Sequence, residues 1–85
     1  MKSVSSTVFV SNLPFKFNED TVKNHFYYSA TIEKVVMVRN EENSSYGMAF
    51  IKVRNPKEAE KLVKKHDKTV IGDRMISVRV ADEDV

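Results

Sequence analysis

Val8-Phe9-Val10-Ser11-Asn12-Leu13 and Tyr46-Gly47-Met48-Ala49-Phe50-Ile51-Lys52-Val53 are two strand-like runs, each with a phenylalanine facing away from its small and branched neighbours. Successive side chains of a strand point to opposite faces. Val8 and Val10 therefore share one face of the first run while Phe9 takes the other, and Ala49, Ile51 and Val53 stand likewise opposite Phe50. Two assignments fit this pattern. Either the phenylalanine faces are the core, or the aliphatic faces are the core and an open sheet shows two rings to solvent, as a base-stacking surface does. The alternation alone leaves both open, and the order of elements along the chain decides.

Working outward, Asn18 is placed to cap a helix whose first turn carries Glu19 and Asp20, favourable against the helix dipole. Phe17 before the cap and Val22 four residues after it are spaced as a hydrophobic staple, and Val22 with Phe26 defines a buried stripe. Ile32 to Arg39 is rich in β-branched residues and reads as a second strand, separated from the Tyr46 run by the polar stretch Asn40 to Ser45. Asn55-Pro56-Lys57-Glu58 is a helix start with an Asn cap, Pro at the first helical position and Glu at the third, as in a capping box. Ala59, Leu62, Val63 and His66 then recur at amphipathic helical spacing. After the turn Ile71-Gly72-Asp73-Arg74, residues Met75 to Ala81 alternate as one last strand, with Ile76, Val78 and Val80 on one side and Ser77 and Arg79 on the other.

The order β-α-β-β-α-β predicts an α+β, ferredoxin-like sandwich: a four-stranded antiparallel sheet with both helices packed on one face. The helices then cover Val8, Val10, Ala49 and Ile51, and Phe9 and Phe50 stay on the open side. Residues 1–6 are small, polar and aperiodic and read as a flexible lead-in; residues 7–81 form the domain, and 82–85 an acidic tail.

The 85 residues suit a single domain with one two-layer core. No apolar run approaches the roughly 18 residues needed to span a membrane, so no membrane partner is expected. The absence of cysteine excludes a disulfide framework and thiolate chemistry and suits an intracellular setting, in nucleus or cytoplasm. Fourteen basic against twelve acidic residues give a formal charge of +2, which by itself announces no polyanion. There is no nucleophile-base-orienter set and no phosphate-cradling glycine loop. His25 and His66 lie on separate helices with no completing metal-ligand pattern. A non-catalytic monomer without cofactor or metal is the expectation.

From about Thr7 to Ala81 the chain resembles an RNA recognition motif. Val8 to Leu13 fits that family's hexapeptide, aliphatic-aromatic-aliphatic-x-Asn-Leu, at each defined position. Tyr46 to Val53 matches its octapeptide at Gly47, Ala49, Phe50 and Ile51, while Tyr46 replaces the usual basic residue, Met48 an aromatic and Val53 an aromatic core residue. The resemblance implies that the two motifs occupy the central strands and that Phe9 and Phe50 stack successive bases of single-stranded RNA, with Met48 in the place of a third aromatic. Strand alternation aims Lys52 and Arg79 at the same face. Ser11, Tyr46 and Arg39 complete the candidate RNA-binding set, with Lys16 and Lys34 at the rim.

Val36 and Val38 share the open face and, with Met48, Tyr46 and the acidic pair Glu41-Glu42, motivate a second reading: a degenerate member that docks a protein through its sheet or helical face. Tyr27 and Tyr28 at the end of the first helix could anchor such a partner on the helical side. The lysines 57, 61, 64, 65 and 68 lie opposite the apolar stripe of the second helix and read as a solvated surface.

Overall fold

The computed structural model describes residues 5–42 and 45–82, except for the side chain of Ser45. Its elements are β1 (Thr7–Ser11), α1 (Glu19–Phe26), β2 (Ile32–Arg39), β3 (Ser45–Val53), α2 (Pro56–His66), β4 (Val70–Ile71), β5 (Arg74–Met75) and β6 (Ser77–Val80). The main sheet has the order β2-β3-β1-β6, with all neighbours antiparallel, so the two motif-bearing strands β1 and β3 are central. Val8, Val10, Ala49, Ile51 and Val53 are fully buried with Val22 and Phe26 of α1 and Ala59 and Leu62 of α2, in one core on the helical side of the sheet.

Local chemistry explains the helix positions. Asn18 accepts hydrogen bonds from the Thr21 amide and hydroxyl, both at 2.9 Å, and Phe17 packs onto the core that contains Val22, as the staple spacing requires. Asn55 accepts from the Glu58 amide at 2.9 Å. The reciprocal half of the expected capping box is spent elsewhere. The Glu58 carboxylate accepts from the Thr31 amide at 2.7 Å and from the Arg54 guanidinium, tying the entry of β2 to the start of α2. The Thr31 amide, then burial in opposition, then Arg54 and Lys61 leave that carboxyl below its ordinary pKa.

Two boundaries differ from the sequence reading. The ladder reaches back beyond Thr7: Ser6 accepts from the Val53 amide at 2.8 Å, and Ser5 is buried with its hydroxyl oxygen accepting from the Thr7 amide. The rest of the expected lead-in, residues 1–4, lies outside the described residues, as do 83–85 of the expected tail. The final alternating run is two strands rather than one. Its first residue, Met75, and Arg74, read as part of the preceding turn, pair with Val70 and Ile71 across a two-residue turn opened by Gly72 at φ +65°, the glycine-first pattern of a II′ hairpin. Ile76 continues that hairpin, exchanging backbone bonds with Thr69 and Lys68, before Ser77 joins the main sheet beside Ser11. The side-chain alternation runs through this change of partner without a break, so sequence periodicity could not reveal it.

Strand β2 carries a register shift between Ile32 and Lys34. An extra residue there changes the phase of the strand. Ile32 consequently packs on the core together with Val35 and Met37, although strict alternation would place it with Lys34.

Candidate nucleic-acid interface

The ladder registers turn the open face into rows that cross the strands. Val36 pairs with Phe50, Phe50 with Phe9, and Phe9 with Arg79, so one row traverses all four strands of the main sheet. The two rings lie 5.0 Å apart between centroids and are tilted by 48°. Both are half-buried, outside the fully buried core. The Arg79 guanidinium stands 5.4 Å from the Phe9 centroid, a cation–π contact worth on the order of 0.5–1 kcal/mol at an exposed site.

Toward one end of the strands the next row holds Lys34 opposite Lys52, with Lys52 also opposite Thr7. Like charges directly across a ladder repel each other. Thr7 shares the alternation of Phe9 yet is fully buried, so the open platform ends there. Toward the other end, Ser11 pairs with Ser77, and Met48 lies two residues before Phe50 in β3, on the same face by alternation. The site is thus cationic at one end, aromatic in the middle and hydroxylic at the other.

The structure brings Phe9, Phe50, Met48, Lys52, Arg79 and Ser11 together on this face. It does not bring Arg39, whose guanidinium is paired at 2.9 Å with Glu19 in the first turn of α1. Alternation within β2 puts Arg39 on the same side as buried Met37, opposite Val36 and Val38, and so away from the platform. The backbone N–H of Glu19 and then, against the cost of burial, Arg39 hold the Glu19 carboxyl below its usual pKa. Tyr46 is half-exposed at the start of β3, beyond Met48.

On the helical side, Tyr27 and Tyr28 are both strongly exposed and meet edge to face at 5.2 Å. The two histidines, read as separate in the sequence, converge with their rings 5.7 Å apart, and His66 packs on Phe26 and shares a 2.6 Å hydrogen bond with the Ser29 hydroxyl. Among the described residues there is no group of three potential metal ligands. The end of the central strands also carries Phe15 and Arg74, which strand periodicity could not assign because both lie outside the main-sheet strands.

A family model described as "RNA recognition motif" matches residues 8–77. The chain belongs to the RNA recognition motif family. It is 35% identical over 77 residues to nucleolin of Gallus gallus, an alignment that covers 91% of this chain and 11% of that protein. The motif thus spans about a tenth of the length of that curated relative. Its fold superposes on the Rna15 RRM with a TM-score of 0.88 at 17% identity, covering 94% of this chain and 93% of the other. Against the same domain described with bound RNA (GU) the score is 0.84 at 18% identity, covering 93% and 85%. The family is one of non-catalytic RNA-binding modules.

Proposed function

We propose that this motif binds a short single-stranded RNA across its open sheet, with Phe9 and Phe50 stacking adjacent bases and Arg79, Lys52 and Lys34 meeting phosphates or base edges. The observation that carries this reading is the row Val36–Phe50–Phe9–Arg79: two adjacent rings outside the core, flanked by an apolar wall on one side and a guanidinium on the other. Rings kept out of the core at the centre of a sheet lose burial energy unless a ligand covers them. The family membership and the RNA named with the bound Rna15 domain point the same way.

Two stacks of about 1–3 kcal/mol each amount to roughly 2–6 kcal/mol, or millimolar to tens-of-micromolar dissociation constants. The isolated motif is therefore a weak binder that gains affinity from neighbouring domains through effective concentration, in keeping with the small share of the relatives it spans.

The test is an NMR titration of isotope-labelled protein with a degenerate single-stranded RNA pool, repeated on the Phe9→Ala/Phe50→Ala variant after its fold is verified. Saturable shifts centred on Phe9, Phe50, Met48, Lys52 and Arg79, lost in the variant, support the reading. An absence of saturable shifts in the wild type refutes it for this domain. Half-exposed Val36 and Val38 beside Phe50 favour a second reading, a protein docked on the same face. RNA affinity weakens as salt rises because phosphate contacts release counterions, whereas an apolar protein contact is far less sensitive.

A further inference from the structure

At the Ser11 end of the platform the chain builds a second aromatic-cation pair that the stacking row does not use. Asn12 directly follows Ser11 and takes φ +65°, a left-handed conformation that asparagine tolerates better than most residues. From there its side chain reaches the hairpin: Nδ2 donates to the Met75 carbonyl at 2.8 Å, and Oδ1 accepts from Nη1 of Arg74 at 2.7 Å. The same guanidinium lies 4.8 Å above the centroid of the Phe15 ring, which is 62% exposed. Gly47, which directly precedes Met48, brings its backbone against the edge of that ring and against the Leu13 carbonyl.

An arginine on a surface ordinarily loses side-chain entropy when it engages a ligand. Arg74 is already held on two sides, by a hydrogen bond to Asn12 and by the face of Phe15, and Asn12 uses one of the five N–H donors of its guanidinium. A prepositioned planar cation beside an exposed ring has the chemistry of a nucleotide site: the fork takes a phosphate and the ring takes a base. It also supplies, from the hairpin, the positive charge that Tyr46 does not carry at the start of β3.

We propose that Phe15 and Arg74 form an additional nucleotide subsite, which extends the RNA path past Ser11 and Met48 beyond the sheet. This rests on the RNA-binding reading of the platform. Because the subsite begins where the last open row ends, a dinucleotide seated on Phe9 and Phe50 does not reach it and a hexanucleotide does.

The experiment measures the affinity of wild type, Phe9→Ala/Phe50→Ala, Phe15→Ala, Arg74→Gln and Arg74→Lys for degenerate RNA dinucleotide and hexanucleotide pools across a salt series. Urea melts of each variant accompany the measurements. Phe15→Ala is expected to weaken hexanucleotide binding roughly 5- to 150-fold, the loss of one stacked base, and to leave the dinucleotide unaffected. Arg74→Gln is expected to flatten the hexanucleotide salt dependence by about 0.7 in log–log slope, the value for one phosphate on a single strand, and Arg74→Lys to restore most of that slope. If hexanucleotide affinity in the Phe15 and Arg74 variants stays within about twofold of wild type while the platform variant loses binding, this inference falls and the platform reading stands. Equal losses for both RNA lengths would overturn it too, by showing a merely structural role. If wild type binds neither length, both readings fall.

Discussion

Replacing Gly47 with alanine should destabilise the domain well beyond the effect of the same change at Gly72, and the geometry sets the size of the difference. Both glycines have positive φ, +77° and +65°, so each alanine incurs about 1–2 kcal/mol for a left-handed L-residue. At Gly72 a β-carbon would meet nothing within 4 Å, and that is the whole cost. At Gly47 the same carbon would lie 2.6 Å from the Leu13 carbonyl oxygen and 3.1 Å from the Phe15 ring. The carbonyl belongs to the backbone and cannot rotate away as a side chain would. Relief requires β3 and the segment after β1 to separate, which strains the 2.9 Å bond from the Leu13 amide to the Gly47 carbonyl, worth about 0.5–1.5 kcal/mol.

The expected losses are thus on the order of 1–2 kcal/mol for Gly72→Ala and roughly 1.5–3.5 kcal/mol for Gly47→Ala. For a domain of this size that larger loss lowers Tm by roughly 6–28 °C. Urea denaturation followed by far-ultraviolet circular dichroism, with equal m-values as the check on two-state behaviour, measures both. If Gly47→Ala costs no more than Gly72→Ala, the close approach of Leu13 to β3 does not constrain residue 47, and the account of that corner is wrong.

Two further outcomes follow from the ionisable groups. Burial foremost, and then the nearby His25 and Lys65 charges, hold His66 below its ordinary pKa of 6.5, so the unfolded chain takes up the proton first. Its contribution to stability is therefore full above about pH 6.5 and is lost as pH falls through the lower folded value. Wild-type Tm should drop as the pH falls below about 6.5, and His66→Gln should flatten that slope; a wild-type Tm that rises on acidification from there contradicts the assignment. The Glu19 and Glu58 carboxyls, both lowered from 4.5, act only in more acidic solution. Arg39→Ala removes a partly exposed pair with Glu19 and should cost no more than about 1 kcal/mol in a urea melt. The same variant should change RNA affinity less than about twofold by titration calorimetry, and a loss above fivefold would return Arg39 to the binding surface.

The platform was legible because it depends on the one feature a sequence displays directly, the two-residue period of strands. Phe9 against Val8 and Val10, and Phe50 against Ala49 and Ile51, needed only the element order to say which face the helices cover. Where contacts join distant parts of the chain the reading weakened. Arg39 stands on the side of Met37, as the period requires, and its pairing with Glu19 joins β2 to α1, which no local pattern encodes. Glu58 likewise looked like the second half of a capping box, and its actual partner, the Thr31 amide, lies 27 residues away in sequence.

Asn12 shows the same limit inside a motif that the sequence did reveal. In the hexapeptide it is only the letter after Ser11. In the fold it is the residue whose left-handed backbone ends β1, and its amide fastens that end to Met75 while orienting Arg74. An aspartate at this position could accept from Arg74 but could not donate to the Met75 carbonyl, and an alanine could do neither and would tolerate the backbone less well. The requirement for asparagine here is therefore met by the architecture of the strand end without any contact to nucleic acid. The phenylalanines proposed above to make such contacts, Phe9 and Phe15, stand three positions away on either side of it.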